Sequence, residues 1–156
     1  MRTLTSREVL DKVRGFPRRS FDPGDAVLSQ ASATGRLLFL HEGAVEIAIE
    51  DMFIAQVTEP GSVLGDIAFL LDQPHTAAVT AVQPSSFYVV DDPDAFLEAE
   101  PGVAVYIART LARRLNAVNH LLVDARRRCA DTDQGRGLLM DTLERMGKAL
   151  QHHVPS

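Results

Sequence analysis

Between Arg19 and Val90 the chain repeats one pattern: a short apolar or β-branched cluster, then residues that break regular structure. The clusters are Ala26–Leu28, Leu37–Leu40, Val45–Ile49, Met52–Val57, Ala77–Val82 and Phe87–Val90. The breakers between them are Pro23-Gly24-Asp25, Gly35, Gly43, Pro60-Gly61, Gln73-Pro74 and Gln83-Pro84. Many short strands at this spacing predict a sandwich or a barrel. Val45 to Glu50 alternates in hydropathy, and Glu50-Asp51 fits a tight hairpin turn. Asp66-Ile67-Ala68-Phe69-Leu70-Leu71, after Gly65, departs from the pattern and reads as a single helical turn.

Helical signals flank this stretch. Thr5-Ser6-Arg7-Glu8 has capping-box spacing, a hydroxyl followed three residues on by a carboxylate. Val9, Leu10 and Val13 then share one face, and Gly15 with Pro17 ends the helix. From Gly102 to Cys129 a longer helix is expected. Its Ala104, Ala108, Leu111, Leu115, Val118, Leu122, Ala125 and Cys129 recur at alternating steps of four and three, a heptad seam suited to a self-paired coiled coil. Val103, Ile107 and Leu121 lie on a neighbouring stripe, so one stripe can pack on the strands while the other meets a partner helix. Beyond the breaker Asp131–Gly135, the spacing of Leu139, Leu143, Met146 and Leu150 predicts a second amphipathic helix over Gly137–Leu150, and the end from Gln151 is expected to fray. The divisions expected are thus 1–15, 16–101, 102–130 and 131–156.

The 156 residues carry a net charge of −5, unevenly spread. From Leu37 to Ala108 there are 12 acids and no Lys or Arg, while the flanks together carry +7. An overall basic nucleic-acid binder is excluded on this balance, and the middle is a poor host for a free anion. A single Cys129 excludes a disulfide framework or a thiolate cluster. No apolar run approaches the ~20 residues of a membrane helix, and Met1–Thr5 has no apolar signal stretch. The expected setting is a reducing cytoplasm.

The ordered set of pieces resembles the cyclic nucleotide-binding domain, the sensor module of bacterial cyclic-AMP receptor protein and FNR-type regulators. Phe21–Asp25 is similar to its opening turn, and Leu38–Gly43 to the strand and glycine corner before the hairpin. Pro60–Leu71 is similar to the start of its phosphate-binding cassette and Pro74–Ala77 to the end. Ala112–Leu115 is similar to a stretch of its dimer helix. The resemblance spans about Phe16 to Leu122. It implies an α+β fold: an antiparallel β-roll of jelly-roll type, an N-terminal helix, a one-turn cassette helix and long C-terminal helices.

It also implies a site for a cyclic nucleotide, cyclic AMP or cyclic GMP. Gly65 stands where backbone approaches the ligand closely, and Asp66 where a glutamate usually accepts the ribose hydroxyl. Ile67 and Ala68 continue the helical turn. Thr76 supplies the hydroxyl and Ala77 the small residue that close the cassette. His75 stands where the family's arginine forks onto the phosphate. A mostly neutral imidazole cannot form that fork. Arg36, just outside the cation-free stretch, is the nearest replacement in sequence. In several family members a residue of the dimer helix contacts the purine, and Val118 and Asn119 occupy that neighbourhood. The Asn119 amide can read a base edge or flank the coiled coil.

Family transcription factors continue into a winged helix-turn-helix module of some 70 residues. Only 27 residues follow Cys129, so the expectation is a sensor without a DNA-binding module, signalling to a protein partner through its last helices. No catalytic residues are expected, since Gly-x-Ser-x-Gly is absent. No metal ligands are expected either: a β-roll metal site needs a second histidine two residues after His41, where Gly43 stands. The reading from another class is a degenerate module serving as a dimeric scaffold.

Overall fold

A computed structural model describes residues 2–129, 137, 140–146 and 148. Helix α1, Ser6–Val13, starts where the capping box placed it: the Glu8 carboxylate accepts the Thr5 N–H at 2.8 Å, and the Thr5 hydroxyl accepts the Glu8 N–H at 3.3 Å. The Thr5 N–H, and the Thr5 hydroxyl that donates to the same carboxylate oxygen at 2.9 Å, hold the Glu8 carboxyl below the usual carboxylate range. Val9 and Val13 are fully buried.

The strands form two antiparallel four-stranded sheets, in keeping with the expected β-roll. One sheet takes the order β1 (Arg18–Phe21), β8 (Ser85–Val90), β3 (Leu37–Glu42), β6 (Val63–Leu64). The other takes the order β2 (Ala26–Leu28), β7 (Ala78–Ala81), β4 (Val45–Ile49), β5 (Met52–Val57). Phe21, Leu38, Leu40, Phe87 and Val89 from the first sheet meet Leu28, Val45, Val79 and Ala81 from the second in one core. Strand β8 is buried along its whole length, as a central strand between β1 and β3 must be. Each of the six clusters read from the sequence becomes a strand. Glu50 and Asp51 both take positive φ, 50° and 63°, which gives the hairpin between β4 and β5 its tight turn.

The corner before that hairpin depends on Gly43, at φ 108°. A Cβ there would lie 2.5 Å from the Ser85 Cα. Ser85 Oγ accepts the Ala44 N–H at 3.1 Å, which locks the corner to β8.

Three elements escape the sequence reading: β1, β6 and the short helix α3, Pro93–Ala99. Asp92 caps α3 by accepting the Ala95 N–H at 3.1 Å, and Pro93 opens it. Helix α4, Pro101–Cys129, matches the expected long helix. By compactness the chain divides into Met1–Arg109 and Thr110–Ser156, so α4 begins in the first unit and continues into the second. In the first unit Val103 and Ile107, from the stripe beside the heptad seam, are buried. In the second unit the seam residues Leu115 and Val118 are exposed, as is Leu121. Of the last expected helix, Gly137 and residues 140–146 are helical, including Leu143 and Met146. Leu139, Leu150, the breaker at 131–135 and the end from Gln151 lie outside the described residues.

Candidate functional site

The turn between β6 and the next helix sets the site. Gly65 takes φ 85°, and a Cβ on it would meet the Arg36 carbonyl oxygen at 2.5 Å. Only glycine lets the β6 exit pass this close to the loop before β3. Helix α2, Asp66–Leu70, follows at once and is the one-turn helix expected from the sequence. Asp66 is only 4% exposed and Ala68 is buried, while Ile67 faces outward. Asp72 takes φ 49° and turns the chain back toward His75.

His75 is not an open loop residue. It is 5% exposed and is held at three points by the loop between β2 and β3. The Ala31 N–H donates to the His75 carbonyl at 2.8 Å, and the His75 N–H donates to the Ser32 carbonyl at 2.8 Å. The His75 Nε2 and the Thr34 hydroxyl share a hydrogen bond of 2.8 Å. Burial lowers the His75 pKa below the ordinary histidine value. At neutral pH the imidazole is therefore uncharged.

The expected replacement cation is engaged elsewhere: Arg36 Nε pairs with Asp91 Oδ1 at 2.6 Å. Thr76 is exposed and Ala77 half-buried at the start of β7. The structure brings Gly65 and His75 together, a Cβ on Gly65 lying 3.6 Å from the His75 Cε1; Asp66, Ile67 and Ala68 follow the first in α2, and Thr76 and Ala77 follow the second in sequence. Asn119 lies on α4 in the second unit with its side chain exposed. Thr34, Ala31 and Ser32 were missed by the sequence reading. A partner 41 residues away leaves no local signal. Among the described residues, no group of three or more His, Cys, Asp or Glu is placed to hold a metal ion, and no helix is long and apolar enough to cross a membrane.

A family model described as the cyclic nucleotide-binding domain matches residues 18–99. The chain belongs to the cyclic nucleotide-binding domain family. Among curated proteins it is similar to the Pycsar effector protein XpPycTIR of Xanthomonas perforans, at 32% identity over 108 residues. That match covers 67% of this chain and 35% of the relative, so the chain spans about a third of the relative's length. Among solved structures it is similar to the Thermus thermophilus catabolite activator protein, with a TM-score of 0.65 at 24% identity, over 81% of this chain and 65% of that one. A protein of a cyclic-GMP-dependent signalling pathway that regulates bacterial phytopathogenesis matches with a TM-score of 0.61 at 21% identity. That match covers 74% of this chain and 98% of that one. At these identities the two structures speak to the fold alone. In this cyclic nucleotide-binding domain, then, a left-handed Gly65 leads straight into α2, and a buried, neutral imidazole lies beside that turn.

That imidazole makes a stability prediction. The unfolded chain takes up the His75 proton near pH 6.5, whereas the folded protein resists it to lower pH. The unfolded state thus binds more protons in that interval, and stability rises with pH across it. The contribution is complete above about pH 6.5 and is lost as pH falls through the lowered folded value. His75→Gln keeps a partner for Thr34 and removes the titration. Thermal melts between pH 7.5 and pH 5 are expected to show a smaller acid loss for His75→Gln than for the wild type. Parallel curves would refute this assignment.

Proposed function

We propose that the chain is a regulatory module that takes a cyclic nucleotide at the cassette and transmits its presence to a protein partner through α4, with no chemical step of its own. The observation that carries this reading is the turn at Gly65: a left-handed glycine, packed under the Arg36 carbonyl, that leads straight into α2. In the family reading, Gly65 gives the close backbone approach, Asp66 takes the ribose hydroxyl and Thr76 offers its hydroxyl to the phosphate. Ligand that favours one position of this turn biases the elements built on it. The heptad seam from Ala104 to Ala125, exposed at Leu115 and Val118, serves a homodimer in this reading.

The neutral His75 sets the affinity. Without an arginine the phosphate loses a charge-assisted hydrogen bond, about 1.5–3 kcal/mol, which is roughly 10- to 200-fold in affinity. A cyclic phosphate beside His75 raises its proton affinity, so binding takes up a proton and strengthens toward acid pH. Calorimetric titration with cyclic AMP and cyclic GMP at pH 6 and pH 8 is expected to show tighter binding at pH 6. No heat and no thermal shift at millimolar nucleotide, at either pH, would overturn the nucleotide reading. A dimeric scaffold would then remain, a reading favoured by the buried His75 and by the capture of Arg36 by Asp91.

A further inference from the structure

On the flank of α2, reaching from Ala68 and Pro74 to helix α3, lies an open groove of about 900 Å³. Gly65, Asp66 and His75 do not line it. Phe69, Leu70 and Leu97 supply its apolar surface, with Leu70 51% exposed. Asp72, Asp94 and Glu98 stand along it, all exposed, and none has an ion-pair partner among the described residues. Its other acids are engaged: Asp91 by Arg36 and Asp92 by the first turn of α3.

We infer that this groove is the docking site for a basic amphipathic helix of a partner protein. The occupant's charge follows from the three free carboxylates and from the absence of any Lys or Arg between Leu37 and Ala108 to oppose them. A metal ion is a poor fit, because no three of these carboxylates are placed to hold one. A simple polyamine neutralises carboxylates but brings no side chains for Phe69, Leu70 and Leu97. A helix with leucines at i, i+3 and i+4 beside lysines or arginines meets both requirements. The groove shares α2 with the cassette, so an occupant and a cassette ligand bear on one element, and each changes the affinity of the other by the same factor. Docking needs no nucleotide to be bound, and a bound one only shifts its affinity.

The test uses the full chain and two fluorescein-labelled synthetic helices of about 18 residues, five turns. One alternates Lys and Leu in amphipathic register, and the other carries the same lysines with Gln in place of Leu. Fluorescence anisotropy at physiological salt is expected to show the Lys/Leu helix binding at least about tenfold tighter than the Lys/Gln helix. The triple variant Asp72→Asn, Asp94→Asn, Glu98→Gln is expected to weaken Lys/Leu binding about tenfold or more. Leu70→Ser is expected to weaken it as well. All four positions are exposed, so melting temperatures close to the wild type show that the fold persists. Glu46→Gln with Glu50→Gln, at the hairpin, is expected to leave binding unchanged. Equal binding of the two helices, or equal loss from the hairpin variant, would overturn the inference. So would loss of self-association by the triple variant in sedimentation, since a second copy would then fill the groove.

Discussion

Gly65→Ala is expected to destabilise the protein by about 2–5 kcal/mol and to abolish binding at the cassette. Two costs add. A non-glycine residue at positive φ costs roughly 1–2 kcal/mol. Forcing the new methyl group away from the Arg36 carbonyl, 2.5 Å from where it would sit, costs a further 1–3 kcal/mol or so, the range for overpacking. The carbonyl belongs to backbone and cannot rotate aside as a side-chain tip would. Either the β6 exit moves or the loop before β3 moves, and both distort the turn proposed to take the nucleotide. Gly35→Ala is the control. Gly35 also has positive φ, 63°, but a Cβ there would meet nothing within 4 Å, so about 1–2 kcal/mol is expected. Urea unfolding of the two variants, with nucleotide titration of each, separates them. Equal losses would mean that the close approach at Gly65 contributes nothing beyond its dihedral angle.

His75→Arg is expected to raise cyclic-nucleotide affinity by roughly 10- to 200-fold at pH 8, the converse of the loss attributed to the imidazole. A guanidinium stays charged at every pH at which the protein is folded. The difference in affinity between pH 6 and pH 8 should therefore disappear in this variant. The gain has a structural cost. An arginine turned to a phosphate gives up the 2.8 Å bond that His75 makes to Thr34. A loss of about 0.5–1.5 kcal/mol in stability is expected from that bond alone. A folded His75→Arg protein that binds no better than the wild type would show that the phosphate does not lie where the family reading puts it.

The sequence showed strands wherever apolar residues clustered between breakers, because a roll buries one face of each such run. It failed where burial and composition part company. β1 begins with Arg18-Arg19-Ser20, all exposed, and only Phe21 reaches the core. β6 is two residues long, too short for any period. α3 follows Asp91-Asp92-Pro93, which reads as a break until Asp92 is seen capping a helix. In α4, both stripes were legible, but which one would be buried was not. Packing within the first unit chose Val103 and Ile107. The turn at Gly65 and the one-turn helix after it were legible through their order in the chain. The state of His75 was not, because its burial and its bond to Thr34 are tertiary facts. Likewise, nothing in the sequence near Arg36 announces that its partner is Asp91.

The latch between His75 and the loop before β3 bears on how this domain can change over generations. Histidine and arginine codons differ by one base, so the charged cassette is a single nucleotide substitution away. Only Thr34 holds the ring; the Ala31 and Ser32 bonds reach the His75 main chain and survive a change of side chain. Selection at this one codon therefore exchanges one side-chain tie of the loop for a fixed positive charge, while the two main-chain ties stay in place.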